Sequence, residues 1–189
     1  MTNGIRTRIF ILQAGAIAIF AFCALILLAG GTFVHGMIRG QLNAQKISFP
    51  AAGSAALSPT EFPDLQKYAG QPVDDGIKAE AYANGFIGRH LQAVAGGQTF
   101  AQVSAQAQAN PTDPKLAGQA ATLFKGEMLV GTLMNTYGWW TAGTYALYAG
   151  VGLAIATGAI LVALLVEIYL AIKAREPRSV AVPKKAFAA

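Results

Sequence analysis

Apolar positions along this chain gather into two long runs separated by about a hundred residues of mixed character. Residues 9–34 and 128–166 contain no Asp, Glu, Lys or Arg, and roughly 20 consecutive apolar residues suffice to cross a bilayer as a helix. The first run follows Arg6 and Arg8 and is far longer than the roughly 7 to 15 apolar residues of a signal peptide, which predicts an uncleaved transmembrane helix over residues 9–35. Cys23 sits inside that run without the small residues that precede a lipoprotein cleavage site. The second run exceeds one crossing and falls short of two with a turn. Asn135, Thr136, Tyr137, Gly138, Trp139 and Trp140 make a polar and aromatic belt suited to the headgroup level, which places the second transmembrane helix at residues 138–172.

The intervening residues divide at about position 73. Pro50, Pro59, Pro63 and Pro72, set among Ala, Gly and Ser, block a regular helix, so residues 36–73 read as an extended Pro-rich connector. Helical spacing takes over in residues 74–137. Asp74 and Asp75 are suited to a helix N-terminus. Ile77, Ala81, Asn84, Ile87, Leu91 and Val94 then form one face, with Tyr82, Phe86 and Arg89 beside it. Gly96 and Gly97 stop that helix, Thr99 caps a second that closes at Asn110 and Pro111, and Asp113 followed by Pro114 opens a third leading into the aromatic belt. Period-two alternation is confined to residues 46–49. The expected fold is an all-α membrane protein, two transmembrane helices with a small helical external domain between them.

Composition agrees with a bilayer as the solvent: 54% of residues are hydrophobic and 12% charged, about half the charged share of an ordinary globular chain. Charge then gives orientation. Residues 36–137 hold seven basic and seven acidic side chains, so the formal charge of +5 comes from the termini, including Lys173, Arg175, Arg178, Lys184 and Lys185. By the positive-inside rule residues 1–8 form a cytoplasmic N-terminus, residues 173–189 a basic cytoplasmic tail, and residues about 36–137 face outward across the plasma membrane. The basic balance is a topology signal, and no nucleic-acid partner is expected.

Chemical signatures are sparse. His35, His90 and Cys23 are too scattered for a closed metal site; either histidine suits an interface hydrogen bond or an exposed position, and a haem shared between His35 and a partner is the alternative. No nucleophile elbow or phosphate loop is present, and no catalytic, metal or cofactor-binding residue is assigned. Glu167 is the acidic residue within reach of the second span. A proton pathway, snorkelling to the nearby cytoplasmic surface, pairing with a terminal basic residue and use by a partner subunit are its open roles. Gly150, Ala154 and Gly158 stand four apart, as do Gly152 with Ala156 and Ala14 with Ala18. Such ridges let helix backbones approach closely, either span against span or against another protein. Phe86, Arg89, His90, Trp139, Trp140, Gly150, Ala154, Gly158 and Glu167 are the interface candidates, and Arg89 and His90 are expected to meet a partner's polar surface.

Several short stretches carry a resemblance: Gln45-Lys46-Ile47, Ala81-Tyr82-Ala83 with Ile87 and His90, residues 96–101 from Gly96 and Gly97 through Phe100, and Leu123-Phe124. In this order they resemble a group of small two-span actinobacterial membrane proteins with a helical external loop. The chain departs from that pattern at Phe100, where tyrosine is usual, and in the long Pro-rich stretch over residues 50–73. Some of the group carry an aromatic ring-opening dioxygenase description, which implies an iron site that these side chains do not supply. In size and topology the chain is also similar to accessory subunits of the actinobacterial cytochrome bcc–aa3 respiratory supercomplex. That likeness implies integral membrane partners, cytochrome bcc and aa3 oxidase among them, and a bilayer environment. The leading expectation is a non-catalytic accessory or assembly subunit. A cell-envelope binding or sensing module with a closed apolar pocket in residues 74–135 is the alternative, and an enzyme or electron carrier using His35 and His90 is the third.

Overall fold

The computed structural model describes residues 3–174; the basic tail beyond Ala174, with Arg175, Arg178, Lys184 and Lys185, lies outside the described residues. Helix α1 spans Asn3–Gln45 and helix α5 spans Pro114–Lys173. Both are long and apolar enough to cross a membrane. Between them come 3-10 turns at Ala55–Leu57 and Pro63–Tyr68, α2 (Gly76–Glu80), a π-helical stretch at Ala81–Gly88, α3 (Arg89–Ala95) and α4 (Phe100–Ala109). No strand forms among the described residues; the alternation at 46–49 becomes a single antiparallel bridge, Ser48 with Pro72.

Local rules set the helix ends. Asp75 accepts from the Lys78 amide at 2.8 Å at the start of α2. Thr99 and Gln102 form a reciprocal capping box on α4. Asp113 accepts from the amides of Lys115 and Leu116, with Pro114 at the first helical position where its missing N–H costs nothing. Gly96 and Gly97 take positive φ values of 58° and 80°, and the Gly97 amide returns to the Gln92 carbonyl. The expected helices are therefore present, but the third does not stop at the aromatic belt. It runs on as α5 for 60 residues, about 90 Å at 1.5 Å per residue.

The chain divides into two compact units, Ile26–Ala149 and Met1–Leu25 with Gly150–Ala189. In the first, the expected extended connector is replaced by a closed loop. The Phe49 amide donates to Gln71, Gly70 to Pro50 and Val73 to Ile47, each at 2.9–3.0 Å, while the Gln66 side chain donates to the Leu57 and Phe62 carbonyls. Prolines do prevent a regular helix here. What the spacing did not reveal is that Phe49, Leu57, Phe62, Leu65 and Val73 are all buried, packed with Ile38 and Leu42 of α1 and Leu133 of α5. Burying such large side chains stabilises by about 1.5–3 kcal/mol each, which overrides the extended preference of the backbone. The middle segment thus shares its core with both long helices.

The face expected on residues 77–94 holds in its middle and fails at its ends: Ala81 and Leu91 are buried and Ile87 packs against the core, but Ile77 and Val94 are 50% and 44% exposed and Asn84 is exposed, with Ala79, Ala83 and Ala95 buried in their place. Such a face requires 3.6 residues per turn throughout. The π-helical stretch widens the turns by i→i+5 bonding, so side chains before and after it lie on a different stripe.

In the second unit, buried and half-buried positions on α5 are Gly150, Leu153, Ala156, Thr157, Ile160, Leu164, Glu167 and Ala171, and on α1 they include Gln13, Ala16, Ile17, Phe20, Ala21, Cys23 and Ala24. Steps of three and four dominate, the spacing by which one stripe of a helix stays against a neighbour and forms a seam. The expected Gly150, Ala154, Gly158 ridge advances by four each time and so leaves the seam after Gly150: Ala154 and Gly158 are exposed, and a Cβ at Gly158 would meet nothing within 4 Å.

Leu57→Ala and Leu133→Ala, at fully or almost fully buried sites, are each expected to cost about 2–5 kcal/mol. Ile155→Ala, at a 68% exposed site, should stay within about 0.5 kcal/mol. Denaturation of the detergent-solubilised chain, followed by circular dichroism, measures the difference.

Candidate functional site

The unit formed by residues 26–149 concentrates its polar side chains in two places. In the first, the π-helical stretch and α3 face the loop around Phe62. Arg89 makes a two-pronged ion pair with Asp64, 2.8 Å and 2.7 Å, and its Nη1 also donates to the Glu61 carbonyl. Its guanidinium lies 5.6 Å from the Phe62 ring centroid. His90 stacks on the same ring at 5.2 Å with planes 8° apart, and its Nδ1 donates to the Phe86 carbonyl oxygen at 2.9 Å. Since a carbonyl only accepts, the proton of the neutral ring sits on Nδ1. Phe86 completes the cluster against Phe62 and Tyr82.

Arg89 and His90, expected to meet a partner, are both engaged within the chain, Arg89 with Asp64 and His90 with Phe62 and Phe86. Asp64 and Phe62, their partners, went unnoticed in the sequence because a separation of 25 or more residues leaves no local signal. Beside the cluster lies a polar-lined cleft of about 310 Å3 with Asp64, Lys67, Glu80, Asn84 and Arg89 on its walls. Its size is at the low end for small-molecule sites. It is not the closed apolar pocket expected of a lipid-holding module.

Electrostatics here follow the pairing. The Arg89 hydrogen bond holds the Asp64 carboxyl below its ordinary value and raises that of Arg89 in return. Asp74 is likewise lowered by Lys78, whose Nζ donates to it at 2.8 Å. Burial pushes the Tyr82 phenol up. With Asp64 and Arg89 side chains 52% and 40% exposed, the pair is a clasp on the loop and a small contributor to stability.

The second place is Trp140. Its ring stacks on His35 at 3.8 Å with planes 6° apart, and Arg39 lies 6.0 Å from its centroid. His35 Nε2 donates to the Trp140 carbonyl oxygen at 3.0 Å, with Thr144 Oγ1 at 3.1 Å. Gly76, opening α2, presses on the same side chain: a Cβ there would stand 2.2 Å from Trp140 Cβ. Trp140 therefore ties α1, α2 and α5 together. Trp139 points away and is 59% exposed; with Asn135, Gly138 and Ala142 it lines a shallow groove of about 380 Å3.

In the other unit Gly150 is buried in the seam, and Gln13 Nε2 donates to Glu167 Oε1 at 3.3 Å. Glu167 belongs to neither of the two ion pairs formed among the described residues. Cys23 is free. Among the described residues no three His, Cys, Asp or Glu side chains converge as a metal site would require.

Comparison with known protein families, with curated proteins and with solved structures finds no match to this chain.

Gly76→Ala drives a methyl into Trp140 and is expected to cost about 1–3 kcal/mol, as other overpacked sites do, read as a lowered Tm in detergent. For the Arg89 clasp, a double-mutant cycle with Arg89→Ala and Asp64→Ala should give a coupling below about 1 kcal/mol at neutral pH. Because the folded-state Asp64 value is depressed, that coupling is present above the unfolded carboxyl's value of about 3.9 and disappears as pH falls through the lower folded value. A cycle repeated at neutral and acid pH measures it.

Proposed function

We propose that this chain is a non-catalytic accessory or assembly subunit of a larger membrane complex. Helices α1 and α5 cross the plasma membrane, both termini are cytoplasmic, and residues about 36–137 form a small external helical region braced on the outer ends of the two helices. The observation that carries the reading is the use each long helix makes of its surface. One stripe of each is spent on packing within the chain, while Phe22, Phe33, Tyr148 and Ile155 on other faces are 63–70% exposed. Lipid and partner helices are the surroundings that such faces fit.

The polar side chains support the same reading. Arg89, His90, His35 and Lys78 are engaged in holding the chain's own segments. The sequence likeness to accessory subunits makes a respiratory complex, with cytochrome bcc and aa3 oxidase, the first partner to look for. The polar cleft at Glu80 and Asn84 favours a second reading, an envelope module that holds a small polar cell-wall fragment.

Tagged full-length protein, extracted from its native membranes in mild detergent, is expected to bring integral membrane subunits with it; migration as a lone small species would count against the accessory role. Soluble cell-wall fragments added to the purified chain should leave its Tm unchanged, whereas a rise of several degrees would favour the envelope module. Orientation has its own check. In a Cys23→Ala background, a membrane-impermeant maleimide should label Ala105→Cys in intact cells and Lys184→Cys only after the membrane is opened.

A further inference from the structure

Glu167 is the one acidic side chain among the described residues of its unit, where the basic ones are Arg6, Arg8 and Lys173. It sits on the seam of two apolar helices, and its single described hydrogen bond comes from the Gln13 amide at 3.3 Å. To give that bond, Gln13 turns its own Oε1 into a site with no hydrogen-bond partner and no access to solvent. A buried acceptor left unpaired costs about 1–3 kcal/mol. The amide is therefore arranged around the needs of the carboxylate, and one long hydrogen bond does not replace a counter-charge in apolar surroundings.

Among the described residues, no cation of this unit pairs with Glu167. Lys173 follows Glu167 by six residues, about 9 Å along the axis and some 240° around the helix. Arg6 precedes Gln13 by seven residues, about 10 Å along α1. Neither forms an ion pair with Glu167. Next to Glu167, Phe10, Ile168, Ala171 and Ile172 line an apolar groove of about 190 Å3, which suits the aliphatic stem of a long side chain whose charged end reaches the carboxylate. The cytoplasmic leaflet is rich in anionic headgroups, which repel Glu167.

We infer that Glu167, oriented by Gln13, is the docking point for a Lys or Arg on a transmembrane helix of a partner subunit, seated against the Phe10–Ile168 groove. This rests on the accessory-subunit reading and names the chemistry of its partner. A guanidinium or ammonium there answers a carboxylate that has no ion-pair partner among the described residues, and it fixes the partner's depth in the membrane.

Three full-length tagged chains test it: wild type, Glu167→Gln, and a tail variant with Arg175, Arg178, Lys184 and Lys185 all changed to Gln. The partner recovered with Glu167→Gln should fall by roughly thirtyfold or more, the usual scale for truncating a buried charge pair, with helical content unchanged by circular dichroism. The tail variant should keep its partner. Full recovery with Glu167→Gln overturns the inference while leaving the accessory role standing, and loss with the tail variant assigns the counter-charge to the chain's own tail. A photo-crosslinking residue at Ile168, in an otherwise wild-type chain, gives a readout independent of the substitution. It should join an apolar helix that carries a Lys or Arg; adducts to lipid alone overturn the inference.

Discussion

The stack of His35 on Trp140 is the contact on which the larger unit depends. At 3.8 Å between near-parallel rings it joins α1 to α5, and the His35 hydrogen bond to the Trp140 carbonyl fixes the rotation of both. The same indole also receives Gly76 and Arg39. Aromatic pairs add about 0.5–1.5 kcal/mol beyond the area they bury. Their larger effect here is geometric: once α1, α2 and α5 meet at one side chain, the loop over residues 47–73 has a defined wall on which to fold.

That wall explains why a stretch so rich in proline has a core. Leu57 and Val73 are almost fully buried although neither belongs to a regular repeating pattern. They pack with Ile38, Leu42 and Leu133, which arrive from two helices far apart in the chain. The 3-10 turns and the closing bonds at residues 47–50 and 70–73 satisfy the backbone groups that burial removes from water. The Arg89 clasp then holds the loop from the far side.

Functionally, the two units divide their polar chemistry differently. In the unit of residues 26–149, charged side chains such as Arg89, Asp64, Lys78 and Asp74 neutralise one another within the chain. In the other, Glu167 has an amide for company and no cation among the described residues. A complementary charge inside a membrane complex would serve recognition, since it discriminates among helices that hydrophobic packing treats as equivalent.

Much of the secondary structure was legible from residues a few positions apart. Asp75, the Thr99 and Gln102 box, Asp113 with Pro114, and Gly96 with Gly97 each act on their own turn, so their type and spacing determine the helix ends. The two charge-free runs likewise determine two helices long enough for a bilayer. The interface candidates were legible as residue types but not in their roles. Arg89 and His90 look free until Asp64 and Phe62 are folded against them, and Gly158 looks like a seam position until the three-four step carries the seam past it. Gly76 carried no signal at all, because its importance lies in the distance to Trp140. Helix capping is a local balance of backbone donors and acceptors, which sequence by itself settles. Which face packs, which charge is answered and which proline-rich loop has a core depend on contacts between distant residues, and those only the tertiary structure decided.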